Sequence, residues 1–142
     1  MSWLVDTDVL SEPLPSKPNL QVVQWLGANQ SSLYTSAVTV AELRLGIAQL
    51  APGRRQQQLQ AWLENVLTTM QGRVLSCNVR AALVWGDFYA ELIQTGRKMP
   101  FRDSFIAAIA RRHHLTIVTR NTEDFNRPGL RVFNPFGELR IP

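Results

Sequence analysis

Trp3-Leu4-Val5-Asp6-Thr7-Asp8-Val9-Leu10 decides the fold. A short apolar run ends abruptly in carboxylates. It is far too short to span a membrane, which takes ~20 apolar residues. Its length and its flanking acids predict a buried strand with Asp6 at the C-terminal end. In open parallel α/β sheets, ligands bind outside that end of the strands. Other acids are then expected at the same edge from later in the chain.

Working outward, a helical turn is expected between Val9 and Leu14, and Pro15-Ser16-Lys17-Pro18-Asn19 has loop chemistry. Pro18 or Asn19 opens a helix ending near Gly27. Leu20, Val23 and Leu26 lie on its inner face, with Val22 a further candidate. Leu33 to Ser36 predicts a second strand and Ala37 to Leu50 a helix, stopped by Pro52-Gly53. Arg54 to Met70 is a helix with an apolar stripe at Leu59, Trp62, Leu63, Val66, Leu67 and Met70. The stripe serves either as core or as a groove for a partner helix. Arg73 to Cys77 predicts a third strand, and Asn78 caps a long helix that Gly96 stops. A helix over 102–114, a strand over 116–119 and a final strand over 130–133 complete the chain. Strands alternating with helices indicate an α/β class with a mainly parallel sheet. Residues 1–142 are expected to form one domain.

Cys77 is the only cysteine, so an internal disulfide and a cysteine-based zinc site are excluded; it is expected to be a small buried hydrophobe. No secretory signal pattern opens the chain, which suggests a cytoplasmic protein. His113 and His114 lack metal-ligand spacing and read as helix-end residues. The tryptophans Trp3, Trp25, Trp62 and Trp85 are scattered and read as core. The net charge is +4, and residues 97–131 alone hold eight bases against three acids. That imbalance suggests a polyanionic partner, nucleic acid first.

Three more groups accompany Asp6. Glu42, in Thr39-Val40-Ala41-Glu42-Leu43-Arg44-Leu45-Gly46, shares a helix face with Val38, Leu45 and Gln49. It is a rim residue, a partner of Arg44 or another base, or a ligand. Asp103 begins the apolar face of its helix, preceding Ile106, Ala107 and Ala110. It either caps that helix or serves a site. Asn121 and Asp124 follow the strand over 116–119, where Asx residues commonly form turns. Together these groups sit at one sheet edge. Carboxylates a few Å apart repel by roughly 4 kcal/mol per pair at an effective dielectric near 20. A cation or protons relieve such a cluster, and an all-oxygen ligand set suits Mg²⁺ or Mn²⁺.

Val5 to Glu12, Thr39 to Gly46, Asp103 to Ala110 and Thr119 to Phe125 resemble, in order, the four signature blocks of PIN-domain proteins. The likeness is greatest to VapC-type toxins of toxin–antitoxin operons, in their FitB-like branch, and Val132-Phe133-Asn134-Pro135-Phe136 fits that branch too. The resemblance implies a three-layer α/β/α fold and a Mg²⁺- or Mn²⁺-dependent ribonuclease acting on tRNA or rRNA. It implies Asp6, Glu42 and Asp103 as metal ligands, with Asn121 and Asp124 completing the catalytic set. It also implies a homodimer and a cognate VapB-like antitoxin. Arg97, Lys98 and Arg102 are candidates for RNA contact. Asp8 departs from the family, where Asn is usual, and leaves metal stoichiometry open. Ser11 and Glu12 match the family without an evident role. Two alternatives stand beside this: a PIN fold that only binds antitoxin or operator DNA, and a haloacid-dehalogenase-type phosphatase using Asp6 and Asp8. The phosphatase lacks its downstream Gly-Asp-x-x-x-Asp block here.

Overall fold

The computed structural model describes residues 1–137; positions 138–142, the last of the domain expected from the sequence, lie outside it. Five strands form one parallel sheet: β1 Trp3–Val5, β2 Leu33–Ser36, β3 Val74–Leu75, β4 Thr116–Val118 and β5 Val132–Phe133. The order is β3-β2-β1-β4-β5. β1 is central and pairs with β2 on one side and β4 on the other, so the chain switches direction across the sheet at β1. Such a switch point opens a crevice at the C-terminal strand ends, where Asp6 sits.

The helices are α1 Thr7–Leu10, α2 Leu20–Ala28, α3 Ala37–Ala48, α4 Arg54–Thr69, α5 Val79–Gln94 and α6 Phe101–His113. Successive strand residues face opposite sides. Leu4 and Ile117 therefore pack with Phe88 and Leu92 of α5 and Ile106 and Ile109 of α6. Val5 and Val118 pack on the other side with Val9, Val22, Trp25 and Met70. Both faces of the sheet are covered, which is why Trp3-Leu4-Val5 of β1 and Ile117-Val118 of β4 are apolar on both sides. The three-layer α/β/α arrangement expected from the sequence is the one observed.

Several details differ from the sequence expectation. The first helical turn starts at Thr7, because the Asp6 side chain caps it. α2 buries Val22 and Trp25, whereas Leu20 is 68% exposed. The face is set by Trp25, which packs edge-on against Trp3 at 5.2 Å. α3 buries Thr39 and Ile47 but leaves Leu45 exposed, so the apolar face expected beside Glu42 is incomplete. β3 and β5 shrink to two residues each, since only that much finds a ladder partner. Cys77 is only partly buried.

Trp85 is not a core residue. It stacks on Phe105 at 4.7 Å and on Tyr89 at 5.1 Å, and this aromatic row ends at Phe101, which is 62% exposed. The Trp85 Nε1–H donates to Ser104 Oγ at 2.8 Å, which satisfies its polar end. His114 ends α6 in the left-handed conformation at φ 56°, in keeping with the helix-end role expected of it.

Phe88 is 1% exposed and joins α5 to the sheet cluster. Phe88→Ala is expected to cost about 3–5 kcal/mol in urea denaturation. A loss below about 1 kcal/mol would show that α5 is not anchored through this ring.

Candidate metal centre

Asp6 lies just past β1 and continues its ladder, its backbone N–H donating to the Val118 carbonyl at 3.0 Å. Its side chain takes two bonds. Oδ1 accepts from the Thr7 backbone N–H at 2.7 Å, and Oδ2 accepts from the Thr119 hydroxyl at 3.1 Å. The carboxylate is thereby fixed from its own helix turn and from the end of the neighbouring strand.

Glu42 reaches the same edge from α3. Its Oε2 accepts from the Thr7 hydroxyl at 3.3 Å and lies 3.7 Å from Nη1 of Arg102. Its basic partner is thus Arg102; Arg44 instead bonds Gln60. Asp103 stands in the first turn of α6, behind Pro100 as the capping residue, so capping is not its role. The residues it precedes, Ile106, Ala107 and Ala110, are all buried as expected. Asn121 and Asp124 lie in the segment after β4, and the Asn121 amide donates to Asp124 Oδ2. Phe125 is fully buried and anchors that turn.

The electrostatics tie the acids together. Burial pushes the Asp6 carboxyl above its ordinary range, and the Asp8 charge adds to this, against the bonds from Thr7 and Thr119. Burial and the Asp6 charge raise Glu42, against Arg102. Burial raises Asp103 to about 6, helped by the charges of Asp6, Asp124 and Glu42. Four carboxylates from four parts of the chain therefore feel one another. Asp8 itself is exposed on α1.

All of these groups are oxygen donors, and a dication would offset the strain recorded in the three raised carboxyls. The chemistry of the set fits a hard divalent cation. Among the described residues no three acidic, histidine or cysteine side chains form a ready cage. Thr7 and Arg102 both hold Glu42.

The basic candidates divide. Arg102 faces the acids through Glu42. Arg97 donates to the Asn126 carbonyl at 2.8 Å, while Arg127 donates to the carbonyls of Arg97 and Lys98. These bonds clasp the α5–α6 loop to the turn after Asp124. Lys98 is exposed. Sequence reasoning missed Thr7 and Thr119 as holders of the acids; each lay inside a quoted block, yet nothing in the pattern singled out its hydroxyl. Ser11 and Glu12 acquire roles as well. Ser11 Oγ donates back to the Thr7 carbonyl, and Glu12 lies 3.8 Å from Arg120, linking α1 to the turn that carries Asn121. An open cavity beside Asp87, Arg111, His114 and Arg131 lies toward the other end of α6 and holds none of the five acid-site residues.

Burial and the neighbouring acids push the Asp103 carboxyl in the folded protein up from its ordinary 3.8 to about 6. Between those values the folded state holds the extra proton, so stability falls as pH rises through the window. Metal-free Asp103→Asn is expected to be more stable than metal-free wild type at pH 8 by ~1 kcal/mol after allowing for solvent screening. The gap should narrow below pH 6 and be about half as large at pH 5. Thermal melts at both pH values in EDTA test this, and a pH-independent gap would contradict it.

The family profile described as PIN domain matches residues 3–129. Toxin FitB of Neisseria gonorrhoeae is 39% identical over 135 residues, covering 94% of this chain and 97% of that protein. A VapC ribonuclease of Sinorhizobium fredii is 37% identical over 135 residues, covering 94% and 96%. The crystal structure of FitAcB from Neisseria gonorrhoeae superposes with a TM-score of 0.89 at 39% identity, covering 95% of this chain and 99% of that one. The chain belongs to the PIN-domain family, in the branch that holds the FitB and VapC proteins.

Proposed function

We propose that this protein is a metal-dependent endoribonuclease, the toxin of a type II toxin–antitoxin pair, which hydrolyses phosphodiester bonds in tRNA or rRNA. The observation that carries this is the convergence of Asp6, Glu42 and Asp103, each raised by burial and by a neighbouring acid. The names of the similar FitB and VapC proteins, a toxin and a ribonuclease, support it. Membership of the PIN family displaces the phosphatase alternative, and nothing in the site favours a binding-only module.

Asp6, Glu42 and Asp103 would hold Mg²⁺ or Mn²⁺, with Asp124 beside them. When bound, the ion supplies charge neutralisation at the scissile phosphate and acidifies water. The protein's part is placement. Thr7 and Thr119 hold Glu42 and Asp6 in position, and Asn121 orients Asp124. Arg102 and Lys98, with the charge of Arg97, offer contacts to flanking phosphates. A VapB-like antitoxin and a second copy of the chain complete the assembly we assign to it. A substrate of this kind and such a partner place it in the cytoplasm. Among the described residues no helix is long and apolar enough to cross a membrane.

Purified protein free of antitoxin is expected to cut total tRNA or rRNA at discrete positions with Mg²⁺ or Mn²⁺ and not with EDTA. Asp6→Asn should lower the rate at least about a hundredfold without loss of fold. Cleavage by Asp6→Asn at the wild-type rate would remove Asp6 from the site.

Thr119→Val removes the hydroxyl that donates to Asp6 and accepts from the Asn121 N–H. Mn²⁺ affinity should fall about tenfold, with Thr119→Ser close to wild type. Equal affinities for Val and wild type would show that Asp6 needs no such support.

A further inference from the structure

We propose that Arg102 is a displaceable counter-cation of the acid site. It holds Glu42 while no metal is bound, yields that carboxylate to an arriving divalent cation, and is then free to take an RNA phosphate. The proposal rests on the metal-dependent ribonuclease assignment above.

Arg102 is the second residue of α6, directly before Asp103. Its Nη1 lies 3.7 Å from the same Glu42 oxygen that accepts the Thr7 hydroxyl. Its positive charge opposes the rise of both the Glu42 and the Asp103 carboxyls. One guanidinium thus contacts Glu42 and acts by its charge on both of these carboxylates, the two that a cation would also relieve. The two ends of the pair are unequally buried, since the Arg102 side chain is 67% exposed and that of Glu42 22%. Such a contact contributes only ~0–1 kcal/mol, so it forms readily and breaks readily. A divalent ion, with twice the charge and direct coordination of carboxylate oxygen, outcompetes it.

Neighbouring bases are arranged differently. Arg97 and Arg127 are committed to main-chain carbonyls, and Arg44 to Gln60. Arg102 instead spends its charge on a prospective metal ligand, at the mouth of the site, on a side chain whose planar fork matches phosphate. Once Glu42 turns to the metal, that fork remains exposed beside the reacting centre.

Mn²⁺ titration calorimetry on wild type, Arg102→Gln and Arg44→Gln separates this from a general charge effect, because both variants lose one positive charge. Arg102→Gln is expected to bind Mn²⁺ about three- to tenfold more tightly than wild type, as a competing charge is removed. Arg44→Gln should stay close to wild type. At saturating Mn²⁺, Arg102→Gln should show a raised KM for RNA with kcat little changed. Tighter metal binding with weaker RNA binding is a pairing that a merely structural role would not produce. Equal tightening in both variants, or unchanged or weaker Mn²⁺ binding in Arg102→Gln, overturns the proposal. An unchanged KM overturns the phosphate step. If wild type binds Mn²⁺ in an Asp6-dependent way and Arg102→Gln matches it, the proposal fails while the metal site stands. Absence of Mn²⁺ binding to wild type overturns both.

Discussion

The structure depends on keeping one carboxylate, Asp6, at the buried end of a central strand. Burial disfavours its charged form, and no basic side chain pairs with it among the described residues. Two donors act against that cost: the first free N–H of α1 and the Thr119 hydroxyl. Each requires a specific backbone path. The N–H is available only because the chain turns into a helix directly after Asp6. The hydroxyl is available only because β4 lies parallel to β1 in the register that pairs Val5 with Val118. One residue of slip would turn Thr119 to the other face. Sheet order, helix start and acid position are therefore a single solution.

That solution draws the other acids in. A parallel sheet gathers the C-terminal strand ends on one edge, and α3, which leaves β2 there, brings Glu42 to it. α6 follows α5 and leads into β4, and its first turn carries Asp103 to within range of the Asp6 and Glu42 charges. Each acid raises the carboxyls beside it. Carboxyls perturbed in this way cluster at functional sites. The surrounding bases fit the same logic. Arg102 pairs with Glu42 only across an exposed contact, and Arg97 and Arg127 bond main-chain carbonyls, so their charge is not used up on the acids.

Much of this was legible in the sequence, and the boundary has physical causes. Asp6, Glu42 and Asp103 could be placed because hydrophobic periodicity reveals strands and helices, and parallel topology then fixes which ends meet. Their supports could not. Thr7 meets Glu42 across 35 residues and Thr119 meets Asp6 across 113, contacts that no local pattern encodes. Arg102 was a candidate RNA contact beside Arg97 and Lys98, and nothing in the pattern tied it to Glu42. Arg97 looked equally free, yet the chain fold commits it to a carbonyl 29 residues away. Leu20 and Trp85 were misplaced for a related reason. Apolar character predicts a buried face, but which face is buried is settled by the large rings opposite: Trp3 for α2, and Phe105 with Tyr89 for the half-buried row on α5 and α6.

The clasp between the loop before α6 and the turn after Asp124 carries the last step. Arg97 bonds the carbonyl of Asn126, and Arg127 bonds the carbonyls of Arg97 and Lys98, so each loop holds the other by guanidinium to main chain. Asp103 begins just beyond one loop and Asp124 lies just before the other. Their charges repel, yet neither loop can move away alone. Main-chain acceptors suit this task better than carboxylates would, because a bond from a cation to a neutral carbonyl leaves the positive charge in place. The same arginines that tie the two loops together therefore also keep the rim basic, because neither is paired with an acid among the described residues.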